Sequence, residues 1–78
     1  MDTNRTLAQL PLNQSAVVQS INGPQPFVRR LLSLGVSPGS QIRVVRQAPL
    51  GDPLQVEIGS LQLAIRRLEA GQVLLQNS

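Results

Sequence analysis

Leu31-Leu32-Ser33-Leu34-Gly35-Val36-Ser37-Pro38-Gly39-Ser40-Gln41-Ile42-Arg43-Val44-Val45 reads as a helix end, a tight turn and a strand start, in that order. Leu31, Leu32 and Leu34 form an apolar last helical turn. Gly35 stands where helices stop in a left-handed conformation that glycine adopts at low cost. Val36 can then fold back onto the helix end. Pro38-Gly39 suits the central positions of a type II turn, with φ preset by proline and positive φ taken by glycine. β-Branched residues follow, so a strand begins there.

Upstream of this junction, Pro26 is placed as the first helical residue. Phe27, Leu31 and Leu34 recur at helical spacing, and Val28 and Leu32 widen the stripe. The spacing predicts a short helix over about 26–34, with Arg29, Arg30 and Ser33 on its other face. Two turns are not stable alone, so the stripe must be buried. Further upstream, 15–21 is β-branched and partly alternating, the pattern of a first strand. Residues 1–5 are polar and read as a frayed end. Leu7 and Leu10, ahead of Pro11, read as an apolar lead-in covering one end of the core.

Downstream, 40–47 reads as a second strand, with Ile42 and Val44 on one face and Arg43 and Val45 on the other. Ala48-Pro49-Leu50-Gly51-Asp52-Pro53 is a stiff turn. Leu54, Val56 and Ile58 alternate with polar residues, as do Leu61, Leu63 and Ile65. Gly59-Ser60 between them matches a type II′ hairpin turn. Residues 66–71 break the alternation as a helical turn ending at Gly71, before a last strand over 72–76. The prediction is a mainly β, small antiparallel barrel of about five strands, with one short helix and a helical turn before the last strand. The helical interruption resembles small barrels of the SH3 type. The 78 residues form a single domain, 1–78.

Composition excludes much chemistry. The chain has no Cys and no His, which removes thiolate or imidazole metal ligands and the usual general base. Its acids are Asp2, Asp52, Glu57 and Glu69. Asp52 is expected to bond its own turn backbone, Glu57 to point outward from a strand, and Glu69 to pair with Arg66 or Arg67. No catalytic residue, metal site or cofactor is predicted. Apolar runs fall far short of a membrane span of ~20 residues, and no signal peptide is visible, so a cytoplasmic location is expected.

Seven basic residues against four acidic ones give a net charge of +3, and all seven are arginine. Arg29-Arg30 and Arg66-Arg67 read either as a solvated polar face or as a contact surface for an acidic partner. A nucleic-acid-binding barrel would use Arg29, Arg30, Arg43, Arg46, Arg66 and Arg67. It would lack the stacking aromatics that single-strand binders use, since Phe27 is the one aromatic residue.

Three motifs carry a resemblance to a known family. The segment Leu32-Ser33-Leu34-Gly35-Val36-Ser37-Pro38-Gly39-Ser40 resembles the LxxLGhxPG signature of FeoA-type ferrous iron transport proteins. Ala48-Pro49-Leu50-Gly51-Asp52-Pro53 is similar to the family's AP-x-GDP turn, and Leu63-Ala64-Ile65-Arg66-Arg67-Leu68-Glu69-Ala70 to its hALRxxEA segment. The resemblance implies an SH3-like barrel in the cytosol. It implies a non-enzymatic accessory role to FeoB, the membrane ferrous iron transporter with a cytosolic G-protein domain. The domain also resembles the C-terminal SH3-like module of iron-dependent repressors, but no DNA-binding domain accompanies it in this sequence. Expected partner-binding residues are Arg29 and Arg30 on the helix, then Leu34, Gly35, Pro38 and Gly39 at the junction. The stiff turn adds Pro49, Leu50, Gly51, Asp52 and Pro53. Self-association is a further expectation, through apolar residues such as Leu50 or Val45.

Overall fold

Each alternating segment offers one apolar row, and the sheet forms by setting those rows side by side. In the computed structural model, which describes residues 5–76, the strands are β1 (Arg5–Thr6), β2 (Ser15–Ile21), β3 (Gln41–Gln47), β4 (Leu54–Ile58), β5 (Leu61–Ile65) and β6 (Val73–Leu75). They make one antiparallel sheet in the order β1-β6-β2-β3-β4-β5. Ala16 and Val18, Ile42 and Val44, Leu54 and Val56, Ile65, and Val73 and Leu75 are its buried residues, two apart along each strand that has a pair. Leu7 and Leu10, in and just after a 3₁₀ turn (Leu7–Gln9), close one end of this core, as expected. No polar side chain is buried among the described residues. Each fully buried Leu, Ile or Val contributes about 1.5–3 kcal/mol from area removed from water.

The curl of the sheet comes from β2. Its first residues, Ser15, Ala16 and Val17, pair with β3, whereas Val18, Ser20 and Ile21 pair with β6. The register shifts between Val18 and Ser20, and such irregularities bend and twist a strand. A second shift lies in β3 between Val44 and Arg46. It explains Val45, which breaks the alternation because it is the extra residue of that irregularity. The β4–β5 hairpin keeps the expected register from Leu54↔Ile65 to Ile58↔Leu61. Its turn opens with Gly59 at φ 60°, as a type II′ turn requires.

Several expectations are corrected. The frayed end falls mostly outside the described residues, but Arg5 is ordered in β1, where Arg5 and Thr6 pair with Leu75 and Leu74. Two residues are too few to show a period, so this sixth strand is silent in the sequence. Helix α1 runs Gln25–Ser33, with Leu34 as its C-cap. Leu31 is buried and Phe27 and Val28 are half-buried, but Leu32 and Leu34 are exposed. The helix covers the core with one narrow row rather than a wide stripe. A second helix, α2 (Arg67–Ala70), ends at Gly71 with φ −67°, so this glycine caps without a left-handed turn.

Among the described residues the barrel is not closed by hydrogen-bonded strands, because β1 and β5 are the two ends of the sheet. Arg67 spans that gap. Its Nε donates to the Gly51 carbonyl at 2.9 Å and its NH1 donates to the Ala8 carbonyl at 2.8 Å. One guanidinium thus joins the segment after β5 to the segment after β1 and to the β3–β4 loop. A planar fork of donors suits this task, and a lysine could not serve both carbonyls in the same geometry.

The junction of α1 with β3 behaves as its sequence predicts. Gly35 has φ 98°. The Val36 N–H donates to the Leu31 carbonyl and the Gly35 N–H to the Leu32 carbonyl, the paired bonds of a Schellman cap. Val36 and Leu31 are both buried, which is the apolar contact that accompanies this cap.

On the outer face of the sheet, Arg43 and Glu57 are cross-strand partners. The Arg43 guanidinium donates to Glu57 Oε1 at 2.6 Å. That bond and the Arg43 charge hold the Glu57 carboxyl below its ordinary value of 4.5.

A Cβ at Gly35 would meet nothing within 4 Å, so the cost of Gly35→Ala is purely that of the positive φ. Urea denaturation should show a loss of at least about 1 kcal/mol for Gly35→Ala. Gly71→Ala, at negative φ, should be neutral or slightly stabilising. Arg67→Lys should cost about 1–3 kcal/mol through its unpaired carbonyls, while Arg66→Lys should change stability by less than about 0.5 kcal/mol. For Glu57 the folded-state pKa is depressed, so its stabilisation is present above the ordinary value and lost as pH falls through the folded one. The melting temperature of the unsubstituted chain should therefore converge on that of Glu57→Gln as pH drops from about 5 to 3. A gap that stays constant over that range would mean that Arg43 does not favour the ionised form.

Candidate functional site

The expected contact residues occupy two places that the fold separates. Gly35, Pro38 and Gly39 lie at the α1–β3 junction, which is bound to β2. The Gly39 N–H donates to the Val18 carbonyl at 2.8 Å, and the Val18 N–H donates to the Ser40 carbonyl at 2.9 Å. Ser40 Oγ donates to the Gly35 carbonyl at 3.0 Å. Positive φ at Gly39, 92°, completes the expected type II geometry. Leu34 is exposed beside this turn. No described hydrogen bond links the junction to the 48–53 loop.

The 48–53 loop is instead fastened to α2. The Gly51 N–H donates to the Ala48 carbonyl at 2.7 Å, and the Ala48 N–H donates to the Pro53 carbonyl at 3.2 Å. Arg67 grips the Gly51 carbonyl, as above. Asp52 Oδ1 accepts the Arg67 N–H at 3.0 Å. Asp52 was expected to bond its own turn, but the Arg67 N–H at the start of α2, which has no acceptor within its own helix, lies within reach and donates to it instead. Pro49 and Pro53 stiffen the loop, and Leu50 at its tip is 96% exposed.

Helix α1 meets α2 from the other side. The Arg30 guanidinium donates to Glu69 Oε2 at 2.5 Å and lies 6.0 Å over the Phe27 ring. Glu69 therefore pairs across the fold rather than with the guanidinium of Arg66 or Arg67. Its Oε1 accepts the Arg66 N–H at 3.2 Å, which steers the carboxylate towards α1. Arg29 stays exposed on α1.

Leu68 was missed by the sequence reading. It is 85% exposed and, with Pro24, Phe27, Glu69 and Gln72, lines a hollow of about 190 Å³. A one-turn helix can point few of its residues inward, and here Ala70 takes the buried place. That was the available signal. The structure thus gathers Arg30, Leu68 and the Pro49 to Pro53 loop around α2, and holds Gly35, Pro38 and Gly39 at the α1–β3 junction against β2.

Acid–base chemistry finds little to work with here. Glu57 and Glu69 are held by arginines and Asp52 by a backbone N–H, while Asp2 lies outside the described residues. No group of three or more His, Cys, Asp or Glu residues lies together among the described residues. The arginine set of a nucleic-acid surface is also reduced. Arg30, Arg43 and Arg67 are engaged within the fold, leaving Arg29, Arg46 and Arg66 without a side-chain partner among the described residues. No helix among them is long and apolar enough to cross a membrane. A stiff loop and protruding leucines are features of a contact surface.

Comparison with known proteins agrees with this architecture. The FeoA domain model matches residues 5–77. An Fe(2+) transport protein A/Fe(2+) transporter FeoB fusion protein of Porphyromonas gingivalis is 33% identical over 67 residues, which is 86% of this chain and 8% of that protein. The chain therefore spans under a tenth of that relative. The crystal structure of Stenotrophomonas maltophilia FeoA complexed with zinc, described as an SH3 domain protein, superposes with a TM-score of 0.81 at 38% identity, covering 92% of this chain and 89% of the other. The solution structure of FeoA from Chlorobium tepidum gives a TM-score of 0.87 at 35% identity, covering 91% and 68%. The match spans both the α1–β3 junction and the β3–β4 loop, the two segments whose geometry organises the fold, and on this ground the chain belongs to the FeoA domain family and has an SH3-like fold.

Proposed function

We propose that this chain acts in the cytoplasm as a non-catalytic accessory module of ferrous iron uptake, and that it binds the cytosolic G-protein part of an FeoB-type transporter. The observation that carries this reading is the relative in which an FeoA-like segment and FeoB belong to one fusion protein. Partners that act together are held at high effective concentration by such a linkage, so a contact of modest intrinsic affinity suffices.

The surface around α2 supports the same reading. Leu50 and Leu68 are exposed apolar anchors, and Arg29, exposed on α1, has no side-chain partner among the described residues. Anchors of this kind lose little conformational freedom on docking. Pro49, Gly51, Asp52 and Pro53 hold the Leu50 tip, and Arg30 holds α1 to α2. Leu34, the exposed C-cap of α1, offers a further apolar contact at the α1–β3 junction. Gly35, Pro38 and Gly39 fix the shape of the exposed turn that carries Leu34.

Calorimetric titration of the chain with the transporter's cytosolic domain, at low and moderate salt, tests this. Saturable binding is expected. Leu50→Asp combined with Leu68→Asp should weaken it by about tenfold or more, since buried anchors typically cost about 2 kcal/mol when disrupted. The thermal transition should hardly move, because both side chains are solvent-exposed. Absence of binding at high micromolar concentration in both salts would rule the proposal out.

A further inference from the structure

The exposed end of the sheet points to a second use of this small domain. β5 is an end strand, paired on one side with β4. In a two-residue hairpin the residues flanking the turn share the hydrogen-bonded pair, and pairing then alternates along the strands. Ile58↔Leu61 flanks the turn here, so Leu61, Leu63 and Ile65 bond to β4. The N–H and C=O groups of Gln62 and Ala64 point the other way, and no described turn or loop bonds to them.

Protein edges are normally blunted by charge, proline or a bulge. β5 has none of these: Leu61-Gln62-Leu63-Ala64-Ile65 is uncharged and free of proline, and its register with β4 is unbroken. Its core-facing row is also incompletely covered. Ile65 is buried, Leu63 half-buried and Leu61 44% exposed.

We propose that a second copy of this chain pairs with this edge, β5 against β5 and antiparallel, about a two-fold axis through Leu63. The strand is self-complementary in that register. Gln62 of one copy meets Ala64 of the other, and each such pair exchanges two main-chain hydrogen bonds, four in all. Leu63 meets its own counterpart and Leu61 meets Ile65, so the open ends of both apolar rows cover each other. No like charges become opposed, because Arg66 falls opposite Ser60. The result is one continuous sheet through two domains. The α2 surface takes no part in the pairing, so the transporter contact and the self-contact are independent.

The test is sedimentation equilibrium of the full chain from micromolar to millimolar concentration, with amide hydrogen exchange measured on the same samples. A monomer–dimer equilibrium is expected. The Gln62 and Ala64 amides should gain protection as dimer forms, while the Leu63 amide is protected at every concentration. Ala64→Pro removes one outward N–H per copy without touching the β4 ladder, and should raise the dissociation constant by about tenfold or more. Should Ala64→Pro fail to fold, Gln62→Lys with Ala64→Lys opposes like charges at the seam and should leave a folded monomer. A strict monomer at all concentrations overturns the proposal. So does a dimer in which the Gln62 and Ala64 amides exchange freely, or one that tolerates both variants. Protection of those amides only on adding another protein's extended segment, with the chain alone monomeric, would assign the edge to that partner and overturn the pairing.

Discussion

A sheet that does not close must be held shut by something other than strand pairing, and here Arg67 holds it. The guanidinium joins the Ala8 carbonyl, just past β1, to the Gly51 carbonyl in the β3–β4 loop, from a position just past β5. Charge-assisted bonds to backbone carbonyls are stronger than neutral ones and stay directional. In a domain with a small aliphatic core, a few such bonds are a large share of the net stability. The same residue also exposes its backbone N–H to Asp52, so the loop is gripped at two adjacent points.

The surface follows from that grip. A loop with two prolines and a clamped glycine presents Leu50 to solvent, and α2, to which that loop is bonded, presents Leu68. Arg30 and Glu69 then bring α1 against α2, with the Arg30 cation over the Phe27 ring. These polar contacts lie outside the apolar core and specify how the elements meet. The free edge of β5 is the other consequence of an open sheet. What Arg67 closes is a gap between loops and turns, so the outward main-chain groups of Gln62 and Ala64 have no partner among the described residues.

Much of this was legible. Alternation placed β2, β4 and β5 with the bounds that the structure shows, because half-buried strands repeat every two residues and the chain keeps that period. Gly35 and Gly39 were readable as a helix cap and a turn because positive φ leaves glycine nearly alone as a candidate. The motifs around them also carried the family. The fate of the charges was not legible. Arg67 looked like a member of an exposed pair, yet its partners lie 16 and 59 residues away. Glu69 looked like a local partner of Arg66 and Arg67, yet it reaches Arg30, 39 residues away. Asp52 looked like a turn residue serving itself, and it serves α2.

The amino-acid sequence by itself determined the strands, the helix stop, the turn types, the absence of cysteine and histidine chemistry, and the family. All of these depend on local backbone preference or on residue type. Only the tertiary structure decided that Arg5 and Thr6 form a strand, that Leu32 and Leu34 stay exposed, that the 48–53 loop is bonded to α2, and that β5 has β4 as its one strand partner among the described residues. Those outcomes depend on which distant segment arrives beside each residue, and no period of two or 3.6 within one segment encodes that. The α1–β3 junction shows the division well. Its sequence specified its shape completely, while its place against β2, away from the loop it was expected to work with, was set by the packing of the sheet.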